Sequence, residues 1–263
     1  MPRRVARFAA AVEPPRLERL GRAELLRMAE AGREMLEIDR VLAKTGDNVV
    51  GELLRGQETF YEWDHYPSGD VFDEESGSQY YYHAHAADER FEREHGHFHT
   101  FVRPKQAPGP GPAAAAGTLS GPARRERERP WRDLLCHLVA VSMNAEGKPF
   151  RLFTVNRWVT GESWYPAAEA IRELDSFAIE LGRPSWPTNR WIGACLRLFR
   201  PQAIALIEAR DRVLKSWRER YPGRDVLEDR QLEIISVMDV SLERQVGAIQ
   251  TALAAKSRPR RSG

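Results

Sequence analysis

The sequence has few cysteines and no long apolar run. Cys136 and Cys195 are its two cysteines, and each lies inside an apolar stretch, where a free thiol usually acts as a small buried hydrophobe. A disulfide scaffold is therefore excluded. No uninterrupted apolar run approaches the roughly 18 residues of a membrane span, and the first residues lack the apolar core of about 7 to 15 residues that a signal peptide needs. We expect a cytoplasmic protein with no membrane partner.

Several catalytic motifs are also missing. The sequence contains no phosphate-binding Walker loop, no GxSxG nucleophile elbow, no dinucleotide fingerprint and no CxxC pair. These absences exclude the common nucleotide-binding, serine-hydrolase and thiol-redox classes. The formal net charge of +2 is too small to mark the whole chain as a nucleic-acid binder. Apolar residues at 42% and charged residues at 30% are ordinary for a globular protein.

Charge and composition divide the chain into a body and three flexible segments. Arg3, Arg4 and Arg7 make the N-terminal segment basic, and "KSRPRRSG" forms a basic tail. The stretch over residues 104–130 is rich in proline, glycine and alanine and cannot bury enough apolar surface to become ordered. We predict a flexible basic N-terminus over residues 1–21, a single domain over residues 22–255 with a disordered insertion at about residues 104–130, and a basic tail over residues 256–263.

Two hydrophobic periods alternate along the body. Helical spacing of apolar residues predicts an amphipathic helix over residues 22–44 and further helices after Gly161. Alternation in "ETFYEWDHYP" predicts a strand that Pro67 ends. Aromatic or β-branched runs predict further strands in "SQYYYHAH", "HGHFHTFV", "LLCHLVAVSM", "PFRLFTVN" and "QLEIISVMDV". The predicted fold is α+β, with a central antiparallel sheet, an N-terminal helical arm and a C-terminal helical layer.

Histidines are concentrated in one short stretch, "YYYHAHAADERFEREHGHFHTFV", which holds five of the seven in the chain. If its two aromatic runs are strands, alternation directs His83 and His85 to one face of the first, and His95, His97 and His99 to one face of the second. A hairpin would bring directly opposed Cβ atoms to about 4.5 to 5.5 Å. Imidazoles from both strands would then converge.

Converging imidazoles favour a divalent transition metal such as zinc, iron or manganese, and a catalytic site commonly uses three protein ligands with one position open. Two other interpretations remain open: a pH-responsive or binding surface, and a solvated sheet face without an ion. His65 and His137 lie in predicted strands among apolar or aromatic residues and are predicted to be satisfied core histidines. The candidate metal ligands are His83, His85, His97, His99 and Glu89.

The spacing from Gly77 through His83, His85 and Glu89 to Gly96 is similar to the first metal-binding motif of the cupin barrels, although the second motif of that family is absent downstream. A wider resemblance is carried by "HYPSGDVFD", "SGSQYYYHAH", "EHGHFHTF", "LFTVNRWVTGE", "PSWPTNRW", "LFRPQ" and "VLEDR". This ordered set resembles a family of bacterial proteins known only as a domain of unknown function. The resemblance implies a bacterial, cytoplasmic protein whose body is one unit, and it transfers no activity.

Two functional hypotheses follow. The first is a metal-dependent enzyme, a hydrolase or an oxygenase, whose ion activates water or oxygen. The alternative is a non-enzymatic module that binds a protein or nucleic-acid partner through Arg157 with Trp158, Arg190 with Trp191, and the basic tails. The enzyme requires the histidines to converge at a pocket, whereas the module requires both arginines to share an exposed face.

Overall fold

A seven-stranded mixed sheet forms the centre of the protein in a computed structural model that describes residues 7–57, 59–103 and 134–257. The strands in chain order are β1 Ala10–Ala11, β2 Tyr66–Asp73, β3 Ser78–His83, β4 Gly96–Val102, β5 Cys136–Met143, β6 Pro149–Val155 and β7 Ile234–Asp239. In space their order is β1-β7-β6-β5-β4-β3-β2. Every neighbouring pair is antiparallel except β1 with β7, which is parallel.

Helices precede and follow most of the strands. They are α1 Arg22–Ala43, α2 Val49–Leu54, α3 Arg157–Thr160, α4 Ala167–Leu174, α5 Trp186–Leu198, α6 Arg200–Arg220 and α7 Leu242–Ser257. The predicted α+β class is therefore confirmed. Five predicted strands, β3 to β7, are also confirmed, because each lies within a run that was predicted to be a strand.

The sheet has a helix-covered face and a histidine-bearing face. On β4, the ring of Phe98 lies 6.4 Å from that of Trp191 on α5. The rings of His97 and His99 lie 5.2 and 6.2 Å from Phe153 of β6, within a smaller apolar cluster. Because successive side chains of a strand point to opposite faces, β4 supports the main hydrophobic core on one side and carries the histidines on the other.

The N-terminal helix belongs to the same layer as the C-terminal helices. α1 buries Leu25, Met28 and Met35 and contacts α5 and α7. These residues are part of the core cluster that also includes Trp191 and Ile249. The predicted N-terminal arm is thus a central member of one helical layer, because its apolar stripe needs a partner surface to leave water.

The segment before α1 is also attached to the body. Ala10 pairs with Ser236 of β7, the amide of Val12 donates to the Val237 carbonyl at 2.9 Å, and Leu17 is buried. The prediction of a flexible N-terminus over residues 1–21 is therefore wrong for the described part of that segment. The predicted insertion at about residues 104–130 lies outside the described residues. The predicted tail lies outside them from residue 258 onwards.

The predicted strand in "ETFYEWDHYP" is wrong. The strand begins at Tyr66, where the prediction ended it, and continues through Pro67 and Gly69. Proline is tolerated because β2 is an edge strand, where the missing N–H removes no ladder bond. Gly69 and Asp70 have positive φ angles of 85° and 60°, at the register shift between Tyr66 and Val71.

The helix predicted from "YPAAEAIRELDSFAIELG" ends earlier than expected, at Leu174. The amide of Ala178 donates to Ser78 Oγ at 3.0 Å, and the amide of Glu180 donates to Asp73 Oδ2 at 2.7 Å. The last side chain of β2 and the first of β3 thus provide acceptors that the helix would otherwise have supplied. Among the described residues, no helix combines the length and apolar character needed to cross a membrane.

Asp39 ties three parts of the fold together. Its carboxylate on α1 accepts a hydrogen bond from Lys148 Nζ, in the β5–β6 turn, at 2.6 Å. It accepts a second from Trp191 Nε1 on α5 at 3.1 Å. Asp39 and Trp191 are buried, so the indole N–H has lost its contact with water and depends on this acceptor.

Replacement of Asp39 by Ala is expected to lower the free energy of unfolding by about 1 to 3 kcal/mol, since the buried indole N–H of Trp191 is left without its acceptor. Urea denaturation followed by tryptophan fluorescence measures this change. Glu37→Ala on the same helix is the matched control, because Glu37 pairs with Arg40 in solvent. Equal effects of the two substitutions would contradict the role given to Asp39.

Candidate metal centre

The β3–β4 hairpin brings histidines from two strands together. His83 is paired with His97, and Tyr81 is paired with His99. Pairing in this register places the side chains of both strands on the same face, as the alternation predicted. The predicted hairpin and the convergence of His83 with His97 are therefore confirmed.

Three histidines form a compact group. One ligand nitrogen from each of His83, His85 and His97 can be chosen so that all lie within 4.8 Å of one another. His83 Nε2 and His97 Nε2 are 2.8 Å apart, the separation of a hydrogen bond in which the two rings share a proton. A tetrahedral ion bound at about 2.0 to 2.1 Å holds two imidazole nitrogens about 3.4 Å apart. A shift on the order of an ångström therefore brings the three rings onto one ion.

A buried carboxylate orients His97. Glu94 Oε1 lies 2.7 Å from His97 Nδ1, and Glu94 Oε2 accepts from the Phe91 amide at 3.0 Å. Burial alone would raise the pKa of the Glu94 carboxyl, but His97 and hydrogen bonds from Phe91 and Ser142 outweigh it, so the pKa lies below its ordinary value. The carboxylate thus fixes a proton on Nδ1 of His97 and leaves the Nε2 lone pair directed at His83.

His85 is held by two contacts. Its ring is hydrogen-bonded to the backbone of Glu89 and is stacked on Trp63, with centroids 4.3 Å apart and planes 22° apart. Burial is the first cause that lowers the pKa of His85, to about 4, and electrostatic repulsion from His97 adds to it. Burial also lowers the pKa of His83. Neutral imidazole is the form that binds a metal, so burial prepares both rings for that role.

Two further histidines form a pair beside the group. His99 Nδ1 and His137 Nε2 are 3.0 Å apart, and both side chains are buried. Burial is the first cause that lowers the pKa of each, that of His137 to about 3. His137 is thus a buried and hydrogen-bonded histidine, as predicted, but its partner places it next to the cluster. His99, predicted as a ligand, lies outside the group of three.

The predictions for His65 and His95 are wrong. His65 is exposed in the loop before β2, stacked on Tyr81 at 3.7 Å with its Nδ1 3.0 Å from Asp70 Oδ1. His95 precedes β4, so strand alternation does not reach it. Its Nδ1 lies 2.7 Å from the Tyr82 hydroxyl, and its ring lies 5.4 Å from Phe60, away from the triad.

A small cavity of about 20 Å³ lies beside the group, between the loop over residues 85–94 and strands β6 and β7. The predicted ligand Glu89 lines it but is not part of the group of three. Glu233, which no sequence pattern selected, lines it too. Burial and the charge of Glu89 raise the pKa of the Glu233 carboxyl against the opposing effect of His97. The cavity lining also includes His85, Arg90, Phe91, Glu94, His97, His99, Phe153, Val155, Val159 and Ile234.

A larger cavity of about 610 Å³ lies on the helix-covered side, between α1, α5 and the end of α4. Arg27, Arg197 and Arg200 line it, and Arg200 is paired with Asp175 at 2.5 Å. No histidine lines this cavity, so it has no part in the candidate metal centre.

The arginine–tryptophan pairs are engaged in internal contacts. Arg157 is buried and paired with Glu228 at 2.7 Å, and Trp158 Nε1 donates to the Asp229 carbonyl at 3.1 Å. Arg190 on α5 is paired with Glu34 of α1. Arg157 and Arg190 therefore do not share an exposed face.

Comparison with known protein families relates the chain to one of them. A family model described as "Domain of unknown function (DUF6969)" matches residues 29–240. No curated protein and no solved structure matches the chain. The family match does not show a relation to the cupins or a bacterial origin, and it carries no activity.

Acid is expected to destabilise the protein through its buried neutral histidines. An unfolded histidine takes up a proton near pH 6.5, whereas in the fold the pKa values of His85 and His137 are about 4 and about 3. Between the folded and the unfolded pKa, the unfolded state binds more protons than the folded state. The free energy of unfolding therefore falls as the pH falls, by about 1.4 kcal/mol per pH unit for each such histidine.

His137→Gln removes one of these groups, and urea denaturation between about pH 4.5 and 6 measures the change in slope. In the variant, the slope of the free energy of unfolding against pH is expected to be smaller by about the contribution of one histidine. His65→Gln, which removes an exposed imidazole, is the control. Identical slopes for the parent and His137→Gln would show that His137 is not held neutral by the fold.

Proposed function

Because the chain belongs to the DUF6969 family, to which no function is assigned, we propose a function from the geometry alone. We propose that the protein is a metal-dependent enzyme that holds a divalent transition-metal ion, zinc, iron or manganese, at His83, His85 and His97. The observation that carries this proposal is the group of three imidazoles whose ligand nitrogens lie within 4.8 Å. A surface without an ion would not need three such nitrogens to face one another away from water.

The donor set favours catalysis over a purely structural ion. Structural zinc sites use four protein ligands, whereas catalytic sites use three and keep a position for water or substrate. Here three histidines come from one hairpin, and the cavity beside them lies on the side of His85 and His97. An ion in this position would activate water or oxygen. His99 and Glu89 remain predicted ligands. His99 is hydrogen-bonded to His137, and Glu89 lines the cavity.

The alternative, a non-enzymatic module for a protein or nucleic-acid partner, has less support. It needs Arg157 and Arg190 on one exposed face, and Arg157 is buried against Glu228. The basic residues 1–6 and 258–263 lie outside the described residues. We also propose a cytoplasmic location, because both cysteines are free and buried, which suits a reducing compartment.

The first test is the metal content of untagged protein by elemental mass spectrometry. The parent is expected to hold near-stoichiometric zinc, iron or manganese. His97→Ala is expected to lose it, because the remaining two rings cannot replace the central ligand. His95→Ala is the matched control, since this histidine lies on the same strand end but contacts Tyr82.

Circular dichroism must show that both variants are folded. A parent that contains no metal, even after reconstitution with zinc, iron and manganese, would overturn the proposal. Equal loss of metal from His95→Ala and His97→Ala would contradict the assigned ligands.

Glu94→Gln is expected to weaken metal binding by about 10- to 100-fold, because the carboxylate that orients His97 is replaced by a neutral amide. Competition with a chelator of known affinity measures the change. Glu92→Gln, an exposed neighbour in the same turn, is the control and is expected to bind metal like the parent. Unchanged affinity in Glu94→Gln would show that His97 does not depend on Glu94.

A further inference from the structure

A short loop covers the outer side of the triad. Trp63 is stacked on His85, and the ring of His65 lies 5.7 Å from that of His83. The amide of Trp63 donates to the Ala84 carbonyl at 2.8 Å, which ties the loop to the chain just after β3. Trp63 adopts a positive φ of 73°, a conformation that costs free energy in a bulky residue and that the surrounding contacts maintain. Molecules approaching from this side meet the loop before the triad.

The cavity is lined by none of the residues of this loop. His85 and His97 line the cavity next to the candidate ion, together with the apolar side chains of Phe153, Val155 and Ile234. Glu89 is exposed and lies where the cavity meets solvent. A ligand that enters past Glu89 therefore meets two of the three histidines. It also meets apolar side chains and the charged groups of Arg90 and Glu94.

The volume of the cavity limits what can bind there. A space of about 20 Å³ holds one to two water-sized molecules. Hydrolysis at an ion needs room for a nucleophilic water and for the carbonyl or phosphoryl group that it attacks. An ester, a peptide or a sugar does not fit beside a water in this space, whereas a diatomic molecule fits alone. Three carboxyl groups, those of Glu89, Glu94 and Glu233, line the cavity against one guanidinium, that of Arg90, so the lining favours a neutral diatomic over an anion.

We infer that the position beside the His83–His85–His97 triad takes a neutral diatomic molecule of the dioxygen class. This inference rests on the proposed function and narrows it, from activation of water or oxygen to binding of a molecule of dioxygen's size. It concerns binding alone: the diatomic occupies the open position next to His85 and His97, and no bond in it is broken.

Nitric oxide is the probe, because it is a neutral diatomic whose complex with ferrous iron gives a characteristic electron paramagnetic resonance signal. The full chain is loaded anaerobically with ferrous iron, its iron content is measured, and nitric oxide is then titrated in. The expected result is a saturable nitrosyl signal equal to the iron content. Excess imidazole, a five-membered ring too large for the cavity, is expected not to reduce that signal.

Val155→Ala enlarges the cavity and tests whether its volume sets this selectivity. In this variant, imidazole is expected to reduce the nitrosyl signal, because the larger space admits the ring. Val237→Ala is the matched control, since Val237 packs against the same small apolar cluster and does not line the cavity. If Val155→Ala fails to fold, Ile234→Val enlarges the same wall by one methylene.

Three results would overturn the inference: no nitrosyl signal from an iron-loaded parent, suppression of that signal by imidazole in the parent, or a parent that retains zinc and takes up no iron. In each of these cases the metal analysis still shows a bound ion, so the proposed metal centre stands. A parent that binds no metal of any kind defeats the proposed function itself, and the iron measurement made before nitric oxide is added separates the two failures.

Discussion

The register of the β3–β4 hairpin is the constraint on which the candidate site depends. His83 lies opposite His97, so the two strands contribute imidazoles to one face at the same level. A slip of one residue would turn these rings towards the helices and would place Phe98 and Tyr82 in the histidine cluster. The core prevents that slip, because Phe98 and Tyr82 are buried among the residues that α1 and α5 cover. The helical layer thus fixes the geometry of a site that it does not touch.

Burial gives the histidine cluster its chemical character. Imidazole in water is a weak base that binds protons and metals in competition, whereas a buried ring is costly to charge and keeps its lone pair. Aromatic neighbours such as Tyr81, Phe101 and Phe153 exclude water from this face. Glu94 supplies a negative charge where one proton must be held on His97. The same surroundings therefore disfavour protonation of the cluster and favour a metal ion that the rings can share.

Much of the fold and part of the site could be predicted from the sequence, because both follow local periodicity. Alternation identified β3 and β4 and placed His83, His85 and His97 on one face. It failed for His95, which precedes the strand, and for residues 59–65, whose alternation belongs to a loop crossing the histidine face. Contacts between residues distant in sequence could not be predicted from local patterns. Glu233 reaches the cavity because β7 completes the sheet after 78 residues of helices and loops following β6, and no local pattern reports that return.

The two edges of the sheet have a consequence for association between copies of the chain. One edge is β1, only two residues long, and the other is β2, where Pro67 offers no N–H and the register shift bends the backbone. Exposed edges of regular strands invite pairing with other chains and lead to aggregation. Within residues 7–57, 59–103 and 134–257, neither edge presents a long regular row of donors and acceptors. The central strands can therefore be strongly apolar, as β5 is, without the sheet acting as a template for fibril growth.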